Sequence, residues 1–132
     1  MGRMREIKFR GRKINSEKWV VGDLRRKLES GNAGILVDGK LHIVDFETVG
    51  QYTGIKDVYG NEIYEGDIVY QEFYDRIEES HGFTGVVKQE EGAWWIDNEK
   101  DRGERLWSEV NLNHIKGNKF ENPELLQGGT GE

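Results

Sequence analysis

Catalysis and metal binding need particular side chains at particular spacings, so the titratable residues come first. The three histidines, His42, His81 and His114, are widely separated, form no H-x-x-x-H pair, and have no cysteine to join them. A zinc site would need a convergence in space that this spacing does not supply. Asp97, Glu99 and Asp101 fall at alternate positions, as the first ligands of a calcium loop do. The sixth position of such a loop needs glycine and the twelfth glutamate; here they are Arg102 and Ser108. The segment therefore reads as a solvated loop tip. Asp75, Glu78 and Asp97 are the carboxylates a hydrolase would use if folding brought them into one cleft. The acidic pairs Glu78-Glu79 and Glu90-Glu91 sit where turns are expected and read as solvated charge. Neither a G-x-S-x-G elbow nor a G-x-x-x-x-G-K-[ST] phosphate loop occurs. The expectation is a protein that is not an enzyme and has no catalytic residue, cofactor or metal.

Cations and aromatic rings are more informative. Residues 1–30 hold ten Lys/Arg and four Asp/Glu, a balance of +6, and residues 31–132 hold nine and twenty-one, a balance of −12. A basic arm on an acidic body has two readings. It can dock on the acidic face of a neighbouring copy, or Arg3, Arg5, Lys8, Arg10, Arg12 and Lys13 can contact nucleic-acid phosphates. The basic residues alternate with apolar ones, which favours the first. Trp94 and Trp95 are neighbours on an expected strand, so they point to opposite faces. One fills the core and the other needs cover elsewhere, as do Trp107, Tyr70 and Phe73. An outward aromatic plugs a subunit interface or stacks on a base. The candidate interaction residues are Arg5, Lys8, Arg10, Arg12, Trp94, Trp95 and Trp107.

These groups must be positioned by a chain of 132 residues that is 35% hydrophobic and 33% charged, a modest core by ordinary composition. No apolar run reaches transmembrane length and no signal peptide is evident, so the expected setting is the cytoplasm. Residues 4–10 alternate polar and apolar as a strand does, residues 11–16 read as a polar turn, and residues 18–21 as a second strand that Gly22 breaks. Residues 24–29 read as one or two helical turns carried by Leu24 and Leu28. Two short strands flank Asp38-Gly39, a preferred hairpin turn, with Leu41 and Ile43 facing in and His42 out. Residues 49–64 read as a glycine-rich connector with a turn at Tyr59-Gly60-Asn61. Beyond it, strands are expected over 67–73, 83–89, 93–98, 106–110 and 113–116, with a turn at Glu90-Glu91-Gly92. Short strands at this spacing argue for a small barrel or sandwich. The division is thus an N-terminal β subdomain (1–48), a connector (49–64), a C-terminal small-barrel subdomain (65–126) and a disordered tail (127–132). The fold class is mainly β with little helix.

Three blocks together carry a family resemblance: residues 4–10 (Met-Arg-Glu-Ile-Lys-Phe-Arg), residues 49–57 continuing through 61–69, and residues 115–118 with 121–126. In order and spacing they resemble the YopX family, proteins carried by bacteriophages and prophages. The resemblance runs from Met4 to Leu126. It implies phage origin, a small Src-homology-3-like β barrel, and self-association as a trimer or a multiple of one. It brings no catalytic residue or cofactor with it. With the lack of a catalytic constellation, the modest core, the surplus aromatics and the uneven charge, the expectation is an accessory protein in the bacterial host that binds a host or phage protein, with nucleic-acid binding as the alternative.

Overall fold

The structure, a computed structural model, describes residues 6–27, 30–73, 81–108 and 111–127. The chain is mainly β, with two antiparallel sheets and, among the described residues, one four-residue α-helix. Contacts divide it into two compact units, residues 1–54 and 55–132.

In the first unit the strands are β1 (Phe9–Arg12), β2 (Trp19–Lys27), β3 (Asn32–Val37), β4 (Lys40–Asp45) and the start of β5 (Gly50–Lys56), in the order β4-β3-β2-β1-β5. Ala33, Ile35 and Val44 are fully buried at its centre, with Val20, Leu24, Val37, Phe46 and Val49 packed around them. The sheet curls until Lys13, just past β1, bridges Val44 of β4, and Ile14 N–H donates to the Ile43 carbonyl at 3.2 Å. A 3₁₀ turn over Phe46–Thr48 is held by Asp45, and buried Thr48 accepts the Arg12 N–H at 2.9 Å.

Local reading and structure agree at the β3–β4 hairpin. Val37 pairs with Lys40, and Asp38 and Gly39 take φ of 50° and 81°, as this two-residue turn requires. Four local expectations are corrected. Gly22 continues β2, because a Cβ there would collide with the Leu36 carbonyl of β3. Residues 24–27 are strand, not helix, and a bulge between Leu24 and Arg26 disturbs the alternation that would have revealed it. Gly11 and Arg12 belong to β1, leaving the turn to residues 14–17; a Cβ on Gly11 would lie 2.7 Å from Val44. On β4, His42 opposes Ile35 and Val44 opposes Ala33. His42 thus shares the core side, and Leu41 is exposed.

The 49–64 segment is largely strand. β5 runs on into the second unit and pairs there with β6 (Glu62–Tyr64) across a turn at Asp57–Asn61. The second sheet comprises β7 (Asp67–Phe73), β8 (His81–Glu90), β9 (Ala93–Asp97), β10 (Gly103–Arg105) and β11 (Leu112–Asn118), ordered β10-β9-β8-β7-β11. One face buries Ile63, Val69, Phe83, Val87, Ile96 and Leu106, joined by Ile55, Phe73, Trp94 and Ile115. Glu91 and Gly92 make the β8–β9 turn with φ of 53° and 79°. Among the described residues no strand pairing closes this sheet into the expected barrel. The outer edge of β11 is taken by the preceding turn: Val58 N–H donates to the Asn113 carbonyl at 3.0 Å and Ile115 N–H to Asp57 Oδ2 at 3.3 Å. The strand expected over 106–110 also shifts. β10 ends at Arg105; the Leu106 N–H still donates to the Trp94 carbonyl at 3.0 Å, but side-chain amides take the carbonyls: Gln71 Nε2 donates to those of Arg105 and Leu106 at 3.1 and 3.3 Å, and Asn113 Nδ2 to that of Leu106 at 2.8 Å. α1 (Glu124–Gln127) packs against β8. Residues 109–110, the acidic loop 74–80 and the tail 128–132 lie outside the described residues.

Candidate interaction surface

β1 alternates, and that alternation sorts the basic arm. Gly11 faces the core, so Lys8, Arg10 and Arg12 lie on the opposite face. β2 brings Trp19 directly across from Arg12, and Tyr52 N–H of β5 donates to the Lys8 carbonyl at 2.9 Å. The result is a row of cations over rings. Lys8 Nζ lies 5.1 Å from the Tyr52 ring centre, and the Arg10 and Arg12 guanidinium carbons lie 4.9 and 5.9 Å from that of Trp19. Glu6 approaches Lys8 at 3.1 Å. Each such cation–ring contact is worth about 0.5–1 kcal/mol where water reaches it. Arg5 lies outside the described residues.

The tryptophans of the second unit take three situations. Trp94 packs on the core cluster. Trp95, on the other face of β9, stands in cross-strand register between Lys88 of β8 and Arg105 of β10. The Arg105 guanidinium covers its ring at 5.1 Å, and its Nε1 donates to the Glu90 carbonyl at 3.3 Å. Trp107 is 61% exposed, just beyond the anchored Leu106. The expected interaction residues therefore belong to different units. Arg10 and Arg12 meet on one strand face, while Trp94 serves the core. Trp19 and Tyr52, the rings beneath the cations, were not among the candidates; Trp19 stood within reach as the first aromatic of the neighbouring strand.

The carboxylates considered for chemistry build loops. Asp97 Oδ1 accepts the Glu99 N–H at 2.5 Å, and Lys88 reaches Asp97 and Glu99 at 3.6 and 3.5 Å. Asn98 Oδ1 accepts the amides of Lys100, Asp101 and Arg102. Arg102 pairs with Glu104 at 2.6 Å and lies 4.6 Å from the Phe83 ring centre. An open groove lined by these residues has no group of three or more His, Asp or Glu able to hold a metal among the described residues. Asp75 and Glu78 are outside those residues.

The residues behind the family resemblance also have structural duties. Buried Asp57 accepts the amides of Tyr59 and Asn61 on Oδ1, both at 2.9 Å, and that of Ile115 on Oδ2. Burial alone would raise its pKa, but the hydrogen bonds from Asn61, Ile115 and Tyr59 outweigh burial and hold it below the ordinary value. Asn118 Oδ1 accepts the amides of Phe120 and Glu121 at 2.9 Å, while Asn122 Oδ1 accepts that of Asn118 at 3.2 Å. Gly117 is needed beneath Asn122, whose side chain a Cβ would strike. Compared with curated proteins, the chain has no match. Residues 6–127 match the family model described as YopX protein, a span that takes in all of these positions, and the chain belongs to the YopX family.

Proposed function

We propose that this chain is a phage- or prophage-encoded accessory protein that acts without catalysis, by binding protein and by associating with copies of itself. One observation carries the reading: the two units are oppositely charged. Residues 1–54 hold eleven Lys/Arg and seven Asp/Glu, whereas residues 55–132 hold eight and eighteen. A chain divided in this way complements a second copy head to tail, a contact that closes into a ring or runs on as a filament. The exposed Trp107 supports the reading as an interface anchor. The use of Asp57, Asp97 and Glu104 in loops and ion pairs supports the non-catalytic part.

Sedimentation velocity at micromolar concentration tests it. The expected result is an oligomer at about 50 mM salt that loosens towards about 500 mM, where screening is short-ranged. A monomer throughout refutes self-association. A tagged pull-down from host lysate with nuclease added tests the partner, which is expected as a stoichiometric protein. The row of Lys8, Arg10 and Arg12 on one strand face favours a second reading, nucleic-acid binding. Its mark is an affinity for labelled single strands that falls steeply with salt; no binding at low salt refutes it.

A further inference from the structure

The face of the second sheet opposite its core carries a group of side chains that neither the family nor the charge division explains. Tyr70 and Glu72 alternate along β7, and β11 sets His114 opposite Tyr70 and Leu112 opposite Glu72. His114 Nε2 lies 3.2 Å from Glu72 Oε1. Its ring meets two phenols, Tyr59 edge-on at 5.9 Å and Tyr70 tilted at 6.1 Å. Tyr70 lies across Gly82 of β8, where a Cβ would strike its ring. Tyr59 is 77% exposed, yet its backbone is pinned by Asp57 on one side and by the bond from Val58 to Asn113 on the other. A rigid turn thus holds a large ring in water beside a histidine–carboxylate pair.

Several other rings of this chain are covered by cations: Trp19 by Arg10 and Arg12, Tyr52 by Lys8, Phe83 by Arg102, and Trp95 by Arg105. Among the described residues Tyr59 and Tyr70 have no such cation, while Glu72 shares the strand face of Tyr70 and reaches the same His114 that both rings touch. The ring faces and the carboxylate attract the same kind of group. A guanidinium suits both, because it stacks flat on a ring and forks to a carboxylate, which an ammonium cannot do. The strongly acidic unit around the site adds long-range attraction for a basic segment. We propose that Tyr59, Tyr70, His114 and Glu72 form a docking site for an arginine side chain on a basic peptide segment of a partner protein. The site rests on the protein-binding reading but not on self-association.

A fluorescein-labelled octa-arginine peptide, titrated by anisotropy at about 150 mM salt, is the probe. Saturable binding is expected, stronger than for octa-lysine. Tyr59→Ala and Glu72→Gln should each weaken it roughly 5- to 30-fold, and Tyr59→Phe should retain it. Glu91→Gln removes the same charge at the β8–β9 turn and should leave affinity unchanged. Absent binding, wild-type affinity in Tyr59→Ala, or equal losses for Glu72→Gln and Glu91→Gln each overturn the site. Sedimentation of Tyr59→Ala separates the two ideas, since a lost arginine site with intact self-association leaves the broader reading standing.

Discussion

Replacing Asp57 with alanine should cost the second unit more than any other single polar change. The carboxylate accepts three backbone amides, two from its own turn and one from β11. The turn amides of Tyr59 and Asn61 can recover water, so each loses only the advantage of a charged acceptor. The Ile115 amide sits at half-buried β11 and is left without an acceptor. Taking about 1–3 kcal/mol for that amide and about 1 for each turn amide, the loss is about 3–5 kcal/mol. Asp57→Asn keeps one oxygen for the turn but can turn an N–H towards Ile115, so about half that loss is expected. The pH dependence carries a sign. The folded pKa lies below the ordinary aspartate value, so the carboxylate's stabilisation is complete above about pH 4 and disappears as pH falls through the folded pKa. The gap between wild type and Asp57→Asn should therefore be widest near neutrality and close in acid. Urea unfolding followed by tryptophan fluorescence is the assay, since Trp94, Trp95 and Trp107 all lie in this unit. An alanine variant within about 1 kcal/mol of wild type, or a gap that stays constant into acid, would show that the hydrogen bonds are not what stabilises the turn.

Three other outcomes are expected. Gly22→Ala should destabilise the first unit by at least about 2 kcal/mol, because the new methyl meets fixed backbone at Leu36; the emission of Trp19 in a urea series reads this. Asn118→Ala should cost about 1–2 kcal/mol by uncapping Phe120 and Glu121, with faster hydrogen exchange at the Leu125 and Leu126 amides. Gln71→Leu should cost about 2–3 kcal/mol, since it strips amide donors from the Arg105 and Leu106 carbonyls. A shift in Trp107 emission should accompany that loss, and an unchanged melt would refute it.

What the sequence disclosed followed the range of the physics. Asp38-Gly39 was legible because a two-residue turn depends on its own φ angles, and the shared face of Lys8 and Arg10 because strand alternation needs no partner to be seen; Arg12, read as turn, joins them only through its pairing with Trp19. Gly22 was misread because its reason lies fourteen positions away in the Leu36 carbonyl. Leu24 and Leu28 have helical spacing, and only pairing with β3, bulge included, decides for strand. His42 was placed on the wrong face because alternation gives two phases and register alone chooses between them. The side-chain amides of Gln71 and Asn113 could not be anticipated, since polar residues in a strand look solvent-facing until their partners are known. Tyr59 and His114 stand fifty-five positions apart and carried no local sign of meeting.

The chain spends its own backbone on sheet borders: Lys13 and Ile14 lie along β4, and Asp57 and Val58 along β11. Those contacts interrupt the row of edge groups that each border offers a passing strand, and β10, the other end of the second sheet, has only three residues. Growth by strand addition, the route to fibrils, is thereby discouraged at both strands. Losing the Asp57 carboxylate would then do more than weaken a turn. It would uncover β11 as a template, and the variant's partly unfolded molecules would be drawn into aggregates that bind amyloid dyes, while wild type at the same concentration stayed clear.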